Sequence, residues 1–284
     1  MRGVSARCRS VLWLVLSAAV LLAAPPSKAE QKPLWELGLG VGVVSFPDYR
    51  GADQRQRYLL PTPYFVYRGE FLRSDRKGLR GVFFDSDRVE LNLSLSGSVP
   101  VDSDGNDARR GMPDLRPTVE FGPSLDFGLW HSADRRRSID LRLPLRWALR
   151  IGGAPRDVGM VFSPRLNLDI ADPAGFDRWQ LGLLAGPIFT DRRNNAYYYD
   201  VAERFATADR PAYGSRGGYA GSQYLVALSK RYPRFWVGFF ARYDSLRGAT
   251  FDDSPLLRSD DYWAAGLAIS WILGESAIRV DYEE

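Results

Sequence analysis

The sequence predicts an all-β protein, an antiparallel barrel of about ten strands that crosses a lipid bilayer. Three observations predict it: an export signal at the start, long segments that alternate apolar and polar residues, and polar faces that mix glycine, serine, asparagine, arginine and acids. A half-buried strand of a soluble sandwich alternates over about four to eight residues, whereas a strand that crosses a bilayer needs roughly 9–11.

Residues 1–29 have the layout of a secretory signal peptide. Three arginines precede the apolar run "VLWLVLSAAVLLAA" at 11–24, and the small residues Ser27 and Ala29 suit a cleavage site. The run is shorter than the roughly twenty residues that a membrane-spanning helix needs. We therefore expect residues 30–284 to form one exported barrel domain, in which 273–284 are a C-terminal extension.

Charge and cysteine content exclude several function classes. The chain has 38 basic and 34 acidic residues, and four of the basic ones lie in the leader, so the exported part is close to neutral. The sequence pI of about 9.2 is therefore no indication of nucleic-acid binding. The one cysteine, Cys8, also lies in the leader, which excludes disulfides and thiolate metal sites. We expect no cofactor and no metal.

The stretch "SIDLRLPLRWALRIGG" at 138–153 shows the alternation most clearly. One face carries Ile139, Trp147 and five more aliphatic residues, and the other carries Asp140 and three arginines, at 142, 146 and 150. Side chains of a strand point to opposite faces with period two. Lipid accounts for the apolar face, and a polar barrel interior accounts for the arginines.

The remaining strands follow the same pattern. Clear segments are 88–99, 118–130, 160–170, 234–245 and 262–271, and weaker ones are 35–44, 176–189 and 218–230. A count of 58–84 as one irregular crossing gives ten strands, and "AIRVDY" at 277–282 as the last strand is the route to an alternative of twelve. Such barrels keep short turns at the periplasmic end, so the long loops 100–116 and 190–217 are expected outside.

Ten charged or polar side chains are candidates to line the lumen: Glu120, Asp126, Asp140, Arg142, Arg146, Arg150, Arg165, Asn167, Arg242 and Asp244. A hairpin turn at 131–137 would set Asp126 opposite Arg142. A turn at 153–156 would set Asn167 opposite Arg142 and Ser163 opposite Arg146. These charges either neutralise one another and rigidify the barrel, or line a pore or bind an anionic ligand.

Motifs with possible chemistry are few. Most catalysis on such a barrel uses a histidine base, and His131 lies in a predicted turn, so we expect no enzymatic activity. The stretch "VDSDGND" at 101–107 departs from a calcium loop, because Asp107 and Pro113 stand where Gly and Glu belong. The arginine clusters at 134–138 and 191–199 are either solvated loops or contacts to lipopolysaccharide phosphates.

The chain resembles the MipA/OmpV family of outer-membrane proteins. The resemblance begins in "LWELGLGVGVVSFPDYRGADQRQRYLLPTPYFVYRGEFL" (34–72), with a Gly-rich strand, a Pro/Tyr loop and a Pro-x-Pro strand. It continues in "RKGLRGVFF" (76–84), "NNAYYYDV" (194–201) and "SRGGYAGSQ" (215–223). It ends in "ARYDSLRGATFDDSPLLRSDDYWAAGLAISW" (241–271) and covers nearly all of 34–272.

The resemblance implies an outer-membrane barrel that acts as a scaffold for cell-wall enzymes. The family's named member holds a lytic murein transglycosylase near a peptidoglycan synthase, and other members are described as porin-like. We therefore expect a non-enzymatic scaffold in the outer membrane of a Gram-negative bacterium, in contact with lipid and lipopolysaccharide. A narrow pore with an arginine-lined lumen is the alternative, and a surface enzyme is a weaker one.

Overall fold

Thirteen of the fifteen strand segments belong to one large sheet, and the other two, β1 and β15, form a separate sheet. The computed structural model describes residues 30–75, 78–86 and 88–282, so the predicted signal peptide at 1–29 lies outside the described residues. The strands are β1 Glu30–Pro33, β2 Trp35–Pro47, β3 Arg55–Arg68, β4 Leu72–Asp75, β5 Gly78–Asp85, β6 Val89–Ser98, β7 Thr118–His131, β8 Arg137–Arg150, β9 Arg156–Phe162, β10 Arg165–Ala171, β11 Trp179–Thr190, β12 Gly218–Arg231, β13 Phe235–Ser245, β14 Asp261–Glu275 and β15 Arg279–Tyr282.

Antiparallel pairing from β2 round to β14 closes a barrel of twelve strands, because β14 pairs with both β13 and β2. β9 and β10 form one crossing that is interrupted at Ser163 and Pro164, since both pair with β8. Proline supplies no N–H to a ladder, which explains the interruption at Pro164. The pairing of β14 with β2 thus closes the seam of the barrel.

The count of twelve differs from ten because the segment 58–84 is not one crossing. It contains the end of β3 and then a short hairpin of β4 and β5, which pair with each other from Leu72 to Gly81. The alternative route to twelve, a last strand at 277–282, is corrected as well. β15 in that stretch belongs to a separate two-stranded sheet with β1.

The barrel buries its polar face and exposes its apolar face. On β14, Trp263, Leu267 and Trp271 are about half or more exposed, whereas Ser270 is 1% exposed. The two tryptophans are separated by roughly 26 Å of strand at about 3.3 Å per residue. An exposed apolar band between aromatic rings matches the lipid-facing surface of an outer-membrane barrel.

The two ends of the barrel differ. Short turns join the strands at one end, which we call the turn end. The other, the loop end, carries the segments 48–54, 99–117, 191–217 and 246–260, which together form the loop cap. The prediction of long loops at 100–116 and 190–217 is confirmed, and by the usual asymmetry of such barrels the loop end faces outward.

The loop cap is packed rather than loose. The segment expected as a solvated loop at 191–199 contains the helix α1, Arg192–Tyr199, which Asp191 caps by accepting a hydrogen bond from the Asn194 amide at 2.8 Å. The Tyr199 ring stacks on Phe251 with centroids 3.8 Å apart, in a cluster of ten buried residues. In the described part of the chain, no helix is long and apolar enough to span a bilayer.

Candidate functional site

The barrel interior is the candidate site, and its side chains form three layers. The base layer, nearest the turn end, is built on Glu36 of β2, which is 1% exposed. Glu36 accepts hydrogen bonds from Arg68 at 2.9 Å, from Arg231 at 2.8 Å and from the Tyr64 hydroxyl at 3.3 Å. Three donors from two other strands therefore meet one carboxylate, as a buried charge requires.

The middle layer surrounds Arg142 on the buried face of β8. Its guanidinium lies 3.6 Å from Asp140, 3.8 Å from Asp126 and 3.7 Å from Asp169. With its amide oxygen turned toward the guanidinium, Asn167 accepts from Arg142 Nε at 2.8 Å. One arginine thus lies against three carboxylates from three strand segments, β7, β8 and β10.

The middle layer continues across the barrel through amide and acid side chains. Asn92 donates to Asp126 at 3.1 Å and to Glu90 at 2.9 Å, and Arg80 donates to Glu90 at 2.8 Å. All four side chains are buried. Because the bonds from Arg80 and Asn92 join neighbouring strands, this network ties β5, β6 and β7 together, and Arg142 extends it to β8.

The upper layer lies next to the loop cap. Arg146 donates to Glu120 at 3.1 Å, to Ser94 at 3.3 Å and to Ser163 at 3.1 Å. On the other side of the barrel, Arg242 lies 2.7 Å from Asp244, which is fully buried. Asp244 also pairs with Arg50 of the loop cap at 3.5 Å, so this layer joins the barrel to the loops.

The structure brings nine of the ten sequence candidates into the middle and upper layers. Arg150 is the exception, since it lies at the loop end of β8 and its guanidinium donates to the Ala154 carbonyl at 3.5 Å. Arg165 contributes no ion pair within 4.0 Å among the described residues, and its buried Nε has no hydrogen-bond partner.

Strand registers differ in part from the prediction. Asp126 lies opposite Arg142, as expected. Residues opposite Arg142 and Arg146 on the next strand are Arg165 and Val161, not Asn167 and Ser163. The cause is the turn, which is 151–155 rather than 153–156, because β8 ends at Arg150 and pairs there with Arg156. Long arginine side chains still reach Asn167 and Ser163, since diagonal neighbours lie only a few ångströms further away.

Sequence reasoning missed the residues of the base layer and the partners from β5 and β6. A signal was available: Glu36 is the one acid within the Gly-rich strand "WELGLG", on the face opposite Leu37 and Leu39. Arg68 and Arg231 end their strands, where a charge is read as solvated. Only the closed barrel places these two strand ends against Glu36.

A cavity of about 540 Å³ lies between the upper layer and the loop cap. Its polar lining includes Arg146, Glu120, Arg165 and Asn195. Its apolar lining includes seven aromatic residues: Phe46, Tyr49, Tyr198, Tyr199, Phe240, Phe251 and Tyr262. Burial raises the pKa of Tyr199 well above its ordinary value, so this phenol stays neutral near neutral pH.

The remaining motifs from the sequence lie at the two ends of the barrel. His131 is exposed at the turn end of β7. The arginine cluster at 134–138 also lies at the turn end, away from the outer leaflet. In the cluster at 191–199, Arg193 forms an ion pair with Asp157. No group of three or more histidine, cysteine or acidic side chains suited to a metal ion occurs among the described residues.

A closed barrel with an apolar exterior, a charged interior and short turns at one end defines an outer-membrane β-barrel protein. The family sequence model described as "MltA-interacting protein MipA" matches residues 39–273. The chain belongs to this family, and its location is the outer membrane of a Gram-negative bacterium.

Two similar proteins are also named as outer membrane proteins. Outer membrane protein OmpV of Vibrio cholerae is 26% identical over 213 residues, which cover 73% of this chain and 76% of OmpV. Outer membrane protein Omp26La of Vibrio anguillarum is 25% identical with the same coverage. Among solved structures, the Pseudomonas putida toluene transporter TodX is similar with a TM-score of 0.31 and 11% identity, covering 92% of this chain and 72% of TodX.

Proposed function

We propose that the protein is an outer-membrane scaffold that holds a murein transglycosylase and a peptidoglycan synthase at its turn end. The observation that carries this proposal is the filled interior. Three layers of buried charged side chains and a packed loop cap occupy the described barrel, which suits a rigid anchor. The family description, which names an interaction with MltA, supports the same function.

The turn 172–178 is the part of the turn end that best fits a partner contact. Phe176 in this turn is 65% exposed. Because it lies outside the strands, it is not part of their lipid-facing surface. Three residues other than glycine, Asp172, Ala174 and Arg178, have φ between 51° and 61° in this one turn. Such backbone strain persists where the surrounding structure holds it and is concentrated at functional sites.

Two matched variants test the scaffold. Arg178→Gln changes an exposed arginine of the turn end, and Arg204→Gln makes the same change at an exposed arginine of the loop cap. After crosslinking in intact envelopes, mass spectrometry of the purified barrel should recover a murein transglycosylase with wild type and with Arg204→Gln. Recovery should fall several-fold with Arg178→Gln. Equal recovery from both variants would move the contact away from this turn, and no recovery from wild type would refute the scaffold.

A second candidate function is a narrow pore for small solutes, and the cavity of about 540 Å³ favours it. In this case the base layer around Glu36 is the barrier between the cavity and the periplasm. Planar-bilayer recordings separate the two functions. A scaffold with a filled lumen gives no unitary steps, whereas a pore gives steps that Arg146→Ala changes in ion selectivity.

A further inference from the structure

The barrel wall has a lateral opening between β3 and β6. β3 pairs with β4 only through Tyr67 and Arg68, and β6 pairs with β5 only from Glu90 to Leu93. In the described part of the chain, residues 55–66 of β3 and 94–98 of β6 have no strand partner on the sides that face each other. The short hairpin of β4 and β5 therefore closes the wall only near the turn end.

The sequence of β3 fits an edge that stays open. The Phe65 carbonyl accepts a hydrogen bond from Ser74 of β4, and the Arg68 amide donates to Leu34 on the other side. Odd-numbered residues of β3 therefore direct their backbone groups toward the opening. Pro61 and Pro63 are two of them, and proline has no N–H to leave unpaired. Proline on an unpaired edge is a recognised way to protect it.

The cavity beneath the loop cap reaches this opening. Five consecutive residues of β6 and its continuation, 95–99, line the cavity. Adjacent residues of a strand point to opposite faces, so a cavity that contacts all five meets the strand at its edge. Leu95 points outward and is 45% exposed, and its neighbour Ser96 points inward and is also exposed. This edge of β6 therefore lies between the lipid-facing surface and the cavity.

The four arginines of the cavity outnumber the carboxylates that pair with them. Arg146 is paired with Glu120, and Arg50 and Arg242 share Asp244. Arg165 lines the same cavity without a carboxylate within 4.0 Å among the described residues, and its Nε is buried without a hydrogen-bond partner. A buried guanidinium nitrogen without a partner is costly, and a ligand carboxylate would remove that cost through two parallel hydrogen bonds.

We propose that this cavity binds a small amphiphilic carboxylate, which enters from the bilayer through the opening between β3 and β6. The carboxylate pairs with Arg165, and the apolar body lies against the aromatic lining that includes Phe46, Tyr198 and Phe240. A cavity of about 540 Å³ is in the size range of pockets that enclose such ligands.

Binding is tested on the whole exported chain in phosphatidylcholine nanodiscs. Radiolabelled decanoate is measured by equilibrium dialysis against empty nanodiscs, with decanol as the uncharged comparison. We expect one saturable decanoate site and at least tenfold weaker decanol binding. Arg165→Gln should weaken decanoate binding about tenfold or more, the loss expected for one charge-assisted hydrogen-bonded pair. Arg165→Lys should retain part of the affinity, and Arg136→Gln, an exposed arginine of the turn end, should retain all of it.

Entry is tested separately from binding. The exported part has no cysteine, so Ser96→Cys can be labelled specifically with a bulky maleimide. The label should slow the wash-out of bound decanoate several-fold, and the same label on Asp209→Cys in the loop cap should not. Unchanged wash-out would overturn entry through the wall. Absence of saturable binding to correctly folded wild type, or equal binding by Arg165→Gln, would overturn the site itself.

Discussion

Removal of Arg142 should cause the largest loss of stability of any lumen substitution on β8. Its guanidinium lies within 3.8 Å of Asp126, Asp140 and Asp169, and its side chain and that of Asp126 are each 9% exposed. Arg142→Leu would leave three carboxylates facing one another without a cation. Loss of one partner from a buried ion pair costs about 3–5 kcal/mol, because the other charge stays buried without compensation.

The size of the effect should depend on charge and on shape. Arg142→Lys keeps the cation but loses the planar fork that reaches several acceptors at once, so we expect an intermediate loss of about 1–3 kcal/mol. Arg137→Leu is the matched control on the same strand. Arg137 is exposed, and substitution there should change stability by about 0.5 kcal/mol or less.

Reversible urea unfolding in lipid vesicles, followed by tryptophan fluorescence, measures these free energies. Heat-modifiable migration on gels confirms that each variant folds into a barrel before the comparison. The reasoning is refuted if Arg142→Leu unfolds within 1 kcal/mol of wild type while Arg137→Leu behaves as expected. In that case the carboxylates are balanced by other groups and the middle layer does not depend on its central arginine.

Three further predictions concern the lipid face and the loop cap. Leu267→Arg puts a charge on an exposed lipid-facing position of β14. It should lower the unfolding free energy in vesicles by about 2–4 kcal/mol. No loss of unfolding free energy would place this position away from the membrane midplane. Phe251→Ala removes a fully buried ring that stacks on Tyr199. Limited proteolysis should therefore cut the segment 191–217 much faster while the barrel stays folded. An unchanged rate of cleavage would mean that the loop cap does not depend on this stack. Burial raises the pKa of Tyr199. The contribution of its neutral phenol to the stability of the loop cap is therefore complete below the ordinary tyrosine pKa of about 10. This contribution is lost as pH rises through the higher pKa of the folded state. Tyr199→Phe should therefore reduce the rise in loop proteolysis above pH 10, and an identical pH profile would contradict this assignment.

Much of the fold was predictable because lipid imposes a simple rule on each strand. The alternation along 138–153 places Arg142 and Arg146 on the polar face, and the structure has both buried within β8. The register of Asp126 opposite Arg142 follows from the length of one short turn. The next register was wrong because the turn between β8 and β9 is 151–155 rather than 153–156, and only the pairing of the two strands decides where β8 ends.

The site was harder to predict than the strands. Glu36, Arg68 and Arg231 are distant in sequence and meet only when the barrel closes. The segment 191–199 was expected as a loop, because eight helical residues give too little periodicity to identify a helix. Asp191 and the packing of Tyr199 against Phe251 stabilise that helix in place.

The sequence by itself determined the membrane class, the family, the long loops at one end and the faces of the strands, because period-two alternation is a local property that lipid on one side enforces. The tertiary structure decided the strand count of twelve, the partners of each buried charge and the opening between β3 and β6. These depend on which strands pair and where the pairing stops. The free edge of β3 shows the difference: Pro61 and Pro63 are visible in the sequence, but only the paired sheet shows that their missing N–H groups face a gap in the wall.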